Sequence, residues 1–276
     1  MDHAGTGPAS RAQRPRPARG RLRGIGWLLA AGLAWTGPAA QAADLQVNPI
    51  LVEFAPGERS QALWLTNTGT GTLRAQVRVS RWTQGDGGEQ LEPSRDLVAS
   101  PAILEVAAGE QQLVRLIRPQ AAPLQAEAAY RLTVDELPHE RERGQDPGLQ
   151  FLLRYSIPAF VLAEGTGPLS PSRQTEARPD TRPALAASLQ PHEAGSLLVV
   201  ANPGRQRVRL SGLAWVDGQG QRTELVPGLL GYVLAGQQMQ WPVPLPTATT
   251  ARGGQLRVRF NDDASDQALP LDGAGR

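Results

Sequence analysis

Over residues 45–162 the chain alternates apolar and polar residues in short runs, with a turn signal about every 8 to 12 residues. That rhythm leaves few folds open. Leu45, Val47, Ile50, Val52 and Phe54 are spaced for a strand, and Pro49 marks a bend or an edge position. Residues 62–67 and 73–82 alternate again, followed by the turn Gly85-Asp86-Gly87-Gly88. Residues 97–106, 111–117 and 127–137 supply further strands, and no helical period outlasts a turn or two. Seven strands in this order predict an immunoglobulin-like sandwich. That fold does not require cysteine, and the chain has none, which also excludes disulfide and thiolate chemistry.

The seventh strand differs from the others. Residues 149–162 read as one long strand, and over 149–153 bulky apolar residues fall on both faces. One face can enter its own domain. The other needs either an opposing sheet or a partner to cover it. Its register matters, because a slip of one residue exchanges Leu149, Phe151 and Leu153 for Gln150, Leu152 and Arg154.

Residues 164–183, rich in Gly, Pro and Ser, read as a linker after a first domain at 43–163. Short strand candidates at 184–189, 196–202, 208–215, 232–234, 238–243 and 256–260 then predict a smaller sandwich over 184–276, with a polar tail after Asn261 expected to fray. The chain of 276 residues is long enough for both domains.

The first 42 residues carry the compartment signal. Six arginines between Arg11 and Arg23 precede a short apolar run at 25–35, and Ala40-Gln41-Ala42 has small residues at cleavage spacing. Thr36, Gly37 and Pro38 end that run short of the roughly 20 residues a membrane span needs. Residues 1–42 therefore read as a secretory signal peptide, with a mature start near Ala43 or Asp44. Removing them leaves 22 arginines against 25 acidic residues, so the sequence pI of about 9.6 gives no support for nucleic-acid binding. No later apolar run reaches membrane length, so no membrane insertion is expected.

Catalytic chemistry has little to work with. His3 lies in the leader, and His139 and His192 lie in polar loops without metal-ligand spacing. No G-x-S-x-G elbow occurs, and the glycine clusters open no helix that could cradle a phosphate. Asp135/Glu136 and Asp262/Asp263 are adjacent pairs, which a strand points to opposite faces. The reading is of a non-enzyme without metal or cofactor.

Four segments in this order resemble a known family: Trp64-Leu65-Thr66-Asn67-Thr68-Gly69, residues 110–116, residues 127–138, and the long strand after them. They look like the periplasmic pilus-assembly chaperones of chaperone-usher systems, and the second domain, with Val226-Pro227-Gly228 and Trp241-Pro242, is most similar to the archaic, Csu-type branch. The resemblance implies an all-β molecule of two immunoglobulin-like sandwiches in an L-shaped arrangement. It implies a periplasmic chaperone that lends a strand to a pilin or spore-coat-U-like subunit and delivers it to an outer-membrane usher. It places Leu149, Phe151 and Leu153 at the donor positions, with ordinary core packing against the opposing sheet as the alternative. The family's two basic anchors for the subunit carboxylate fall at Leu51 and about Pro158 here, and neither is basic. Arg131 and Arg154 are the nearest replacements; pairing with Asp135, Glu127 or solvent is the alternative for them. Glu127 resembles an interdomain pairing position whose expected arginine is missing at Leu162. A secreted adhesive or carbohydrate-binding protein built on the same sandwiches remains a second reading. Self-association of the free protein through its apolar strand is left open.

Overall fold

The computed structural model describes residues 44–138, 151–169, 183–193 and 195–272. Two sheets form the first sandwich. One has the order β1-β3-β8-β6, from Leu45–Asn48, Ser60–Asn67, Gln111–Ile117 and Val98–Ser100. The other has the order β2-β10-β9-β4-β5, from Val52–Phe54, Arg154–Val161, Ala128–Leu137, Leu73–Gly85 and Gly88–Pro93, and β7 (Ile103–Val106) also pairs with β4. Alternation places Leu63 and Leu65 of β3, Ala75 and Val77 of β4, and Leu132 and Val134 of β9 in one apolar core between the sheets.

Several expected strands are divided. The run at 45–54 breaks at Pro49 into β1 and β2, and the run at 97–106 breaks at Pro101 into β6 and β7. Proline has no N–H for a ladder, so a strand tends to end or change sheet there. The first break changes the sheet: β1 runs antiparallel to β3, while β2 runs parallel to β10. Strand β5 has no counterpart among the expected strands, because its alternation is weak and most of it is exposed.

The second sandwich pairs a β11-β12-β15 sheet with a β14-β13-β16-β17 sheet. These strands are Ala186–His192, Gly195–Ala201, Gln238–Val243, Arg222–Val233, Val208–Asp217, Gly254–Phe260 and Gln267–Leu269, and a single helical turn, α1, covers Thr247–Thr250. Leu198, Leu210, Trp215, Leu256 and Phe260 lie in its core. The expected fraying after Asn261 is corrected here: β17 pairs with β16 and buries Leu269, whose apolar side chain completes the core. Strand β14 is also much longer than the expected 232–234. It passes close under Trp241 at Gly231, where a Cβ would lie 2.8 Å from the indole ring.

The two sandwiches share a turn device. Asn67 donates its side-chain amide to the carbonyls of Gly71 (2.7 Å) and Val106 (2.9 Å) and accepts from the Gly69 N–H. Asn202 does the same with Gln206 (2.7 Å), Val233 (3.0 Å) and the Gly204 N–H. Each buried amide satisfies carbonyls that a strand end would otherwise leave unpaired.

Candidate functional site

Strand β10 has two unlike halves. Ala159, Phe160 and Val161 have β9 on one side and β2 on the other. Arg154 to Pro158 pair with β9 alone; among the described residues no strand lies on their other side, because the first strand has crossed to the opposite sheet. Pro158 suits such an edge, having no N–H to leave unpaired. Tyr155 spans the gap, its hydroxyl donating to the Leu45 carbonyl of β1 (2.5 Å).

The segment before β10 corrects the expected strand at 149–162, which begins only at Arg154. One rung of pairing continues past the strand end: the Glu136 N–H donates to the Leu153 carbonyl (2.9 Å), and the Leu153 N–H donates to the Glu136 carboxylate (3.2 Å). Leu153 packs against the core, while Phe151 is 79% exposed and Leu152 44% exposed. Leu149 lies outside the described residues. Large apolar side chains this open are unusual beside an unpaired sheet edge, where they invite another chain.

Next to this edge a groove of about 400 Å³ runs between Gln76, Arg78, Asp135, Leu152 and Arg154. Asp135 accepts from Arg78 Nη2 (2.7 Å) and from Arg154 Nε. Burial alone would raise the Asp135 carboxyl, but the hydrogen bonds from Arg78 and Arg154 outweigh it and hold the group below the usual carboxylate range.

Arg131 sits elsewhere. It lies opposite Pro158, while Arg154 lies opposite Asp135. The two arginines are thus on adjacent antiparallel strands but four positions apart, about 13 Å at the rise of a strand. Their side chains take different partners, Asp135 in the case of Arg154. Arg131 instead stacks over Trp82, 3.7 Å from the ring centroid, and donates to Glu89 (3.2 Å). Each of the two expected anchors is already held by a carboxylate of the chain.

Trp82 and Phe160 on this face meet Tyr232 and Leu234 of the second sandwich. The three ring centroids are 5.6 to 5.9 Å apart, within the range favoured by aromatic pairs. Beside them is a buried charge cluster that sequence reasoning had only in part. Glu127 accepts from Arg207, which precedes β13, at 2.6 Å through Nη1 and 3.1 Å through the backbone N–H. The other Arg207 terminus donates to Glu53 of β2, and its guanidinium lies 3.6 Å over the Phe160 ring. Glu53 also accepts from the Leu169 N–H (2.9 Å), which ties the start of the expected linker to the first sandwich. Burial pushes the Glu127 carboxyl up, and Arg207 counters part of that rise.

Glu53 had a legible signal: a charged residue inside the apolar run Val52-Glu53-Phe54 must find a buried partner. Arg207 had none, since its partners are 80 and 154 residues away. Among the described residues no three His, Asp or Glu side chains are grouped to hold a metal ion.

Comparison with known proteins agrees with this architecture. Residues 44–166 match the family model described as "Pili and flagellar-assembly chaperone, PapD N-terminal domain". A comparison with curated sequences finds no match. Among solved structures the chain is similar to that of the CsuC–CsuE chaperone and tip adhesion subunit pre-assembly complex from the archaic Csu pili of Acinetobacter baumannii. There the identity is 26%, the TM-score 0.63, and the alignment covers 83% of this chain and 98% of the other. The YadV chaperone (18% identity, TM-score 0.52, 82% and 98% covered) and the E. coli chaperone DraB (17%, 0.52, 82% and 98%) share the fold. Residues 44–166 thus carry the N-terminal domain of the PapD-like pilus-assembly chaperones, a non-enzymatic family, and the chain over most of its length is similar to the chaperone complex of the archaic Csu pili.

Proposed function

We propose that this protein is a periplasmic chaperone that holds pilin or spore-coat-U-like subunits by completing their fold with a strand, and passes them to an outer-membrane usher. The observation that carries this reading is the open β10 edge at Arg154 to Pro158, continuous with exposed Phe151 and Leu152. A strand laid along that edge gains main-chain hydrogen bonds, and covering each large side chain adds about 2 kcal/mol. Leu149, Phe151 and Leu153 are the donor positions. The CsuC relative was captured with a tip adhesion subunit, which supports a client of that kind here. The leader at 1–42 supports export.

Arg131 and Arg154 play no joint anchoring part in this reading, because each is engaged by a different carboxylate of the chain. Glu127 acts at one remove, holding the second sandwich against the sheet that bears the edge.

Co-expression with a pilin subunit encoded beside the gene, followed by purification, tests the proposal. A stable one-to-one complex that is lost in a Phe151→Asp/Leu153→Asp variant is the expected result. A client yield unchanged by those substitutions would overturn the donor assignment. A protein that remains alone and binds glycans would favour the adhesive reading.

A further inference from the structure

The face of β4 and β9 opposite Trp82 and Arg131 carries a second feature that the donor edge does not use. Arg81 of β4 lies directly across from Tyr130 of β9, and at that end of the sandwich a cavity of about 330 Å³ opens among Arg81, Arg95, Asp96, Arg118, Gln120 and Tyr130. Three arginines and one aspartate therefore line one small space.

The charges are poorly compensated. Arg118 is only 5% exposed, yet its side chain donates only to carbonyl oxygens, those of Glu58 (3.0 Å) and Ala122 (3.3 Å). Among the described residues Arg118 has no ion pair, and Arg95 has neither an ion pair nor a side-chain hydrogen bond. Asp96 comes no nearer than 3.9 Å to Arg81 and is itself largely exposed. A guanidinium removed from water without a counter-charge is costly, and an anion that enters the cavity relieves that cost.

Arg81 and Tyr130 are in direct contact there. Arg81 Nη1 donates to the Tyr130 hydroxyl (3.0 Å) and the Arg81 guanidinium lies 5.1 Å from the Tyr130 ring centroid. Because that hydroxyl oxygen accepts, its own hydrogen is left to donate, and no acceptor among the described residues takes it. Tyr130 is 4% exposed, so the unspent donor belongs to a buried polar group lining the cavity.

We propose that this cavity is a binding site for a small multivalent oxyanion, with Arg81, Arg95 and Arg118 supplying charge and the Tyr130 hydroxyl a directed hydrogen bond. Planar guanidinium groups match the paired oxygens of carboxylate and phosphate alike. The site does not rest on the chaperone reading.

Isothermal titration calorimetry of the purified protein at fixed ionic strength, with inorganic phosphate in one arm and an N-acetylated, C-amidated Asp-Glu dipeptide in the other, tests it. Saturable binding with a Kd of about 1 mM or tighter in either arm is expected. Tighter binding of phosphate identifies a free-ion site, and tighter binding of the dipeptide identifies a site for acidic side chains. Arg95→Gln, an exposed substitution that leaves the fold intact, should weaken binding about tenfold, and Arg81→Gln/Arg95→Gln more. No saturable heat in either arm up to about 10 mM, or a double variant that binds within about twofold of the parent, would overturn the proposal.

Discussion

The two halves of β10 differ in what the rest of the chain does for them. Ala159 to Val161 are paired on both sides and buried, with Phe160 beneath the Arg207 guanidinium and against Trp82. Arg154 to Pro158, a few residues earlier on the same strand, have one neighbour among the described residues, and the segment before them holds Phe151 in the open. The cause is the sheet change at Pro49, which gives β10 only three residues of β2. One half of the strand therefore secures the protein's own fold, and the other keeps one side unpaired among the described residues.

The largest effects should come from breaking the secured half. Arg207→Ala leaves the buried Glu53 and Glu127 carboxylates without their shared cation, and is expected to cost about 3 to 5 kcal/mol in urea unfolding at neutral pH. Phe160→Ala removes a fully buried ring at the junction of the two sandwiches and should cost about 3 kcal/mol in the same measurement. A loss below about 1 kcal/mol in either variant would erase the contrast between the halves.

The open half should respond the other way. Phe151→Asp should change unfolding free energy by less than about 0.5 kcal/mol, because a surface side chain is altered, while recovery of the co-expressed subunit falls about tenfold or more. Unfolding of the free protein by this substitution would place Phe151 in the interior and remove the distinction.

The smallest effect concerns Asp135, at the edge of the groove. Its carboxyl is held below its ordinary value, so its stabilising contribution is present above the unfolded carboxylate pKa of about 3.9 and is lost as pH falls through the lower folded value. Arg154 is 69% exposed in its side chain and Arg78 54%, so solvent screens both pairs, and Arg154→Ala should cost no more than about 1 kcal/mol. The same substitution should raise the Asp135 pKa in an NMR titration. An unchanged value would mean that Arg78 alone sets it.

Much of the architecture was legible because strand period and turn residues are local properties. The alternation of Leu63 with Leu65 marks β3, and the run at 111–117 coincides with β8. Elements with weak local signals were not legible. Strand β5 presents mostly exposed positions, β14 carries bulges and glycines through its length, and β17 is three residues in a polar tail. The long apolar run at 149–162 was visible as unusual, yet nothing in it revealed that pairing begins at Arg154 and that the first strand deserts it.

The sequence by itself determined that the chain is all-β, that it forms two sandwiches, and that one strand carries more apolar side chains than a half-buried strand needs. Only the tertiary structure decided which residues of that strand pair on both sides, that Arg131 and Arg154 take different carboxylates, and that Arg207 joins Glu53 to Glu127. The reason is range. Periodicity and turn preference act between near neighbours, whereas a strand's second partner and a buried carboxylate's counter-ion are chosen by segments that the chain brings together only when it folds.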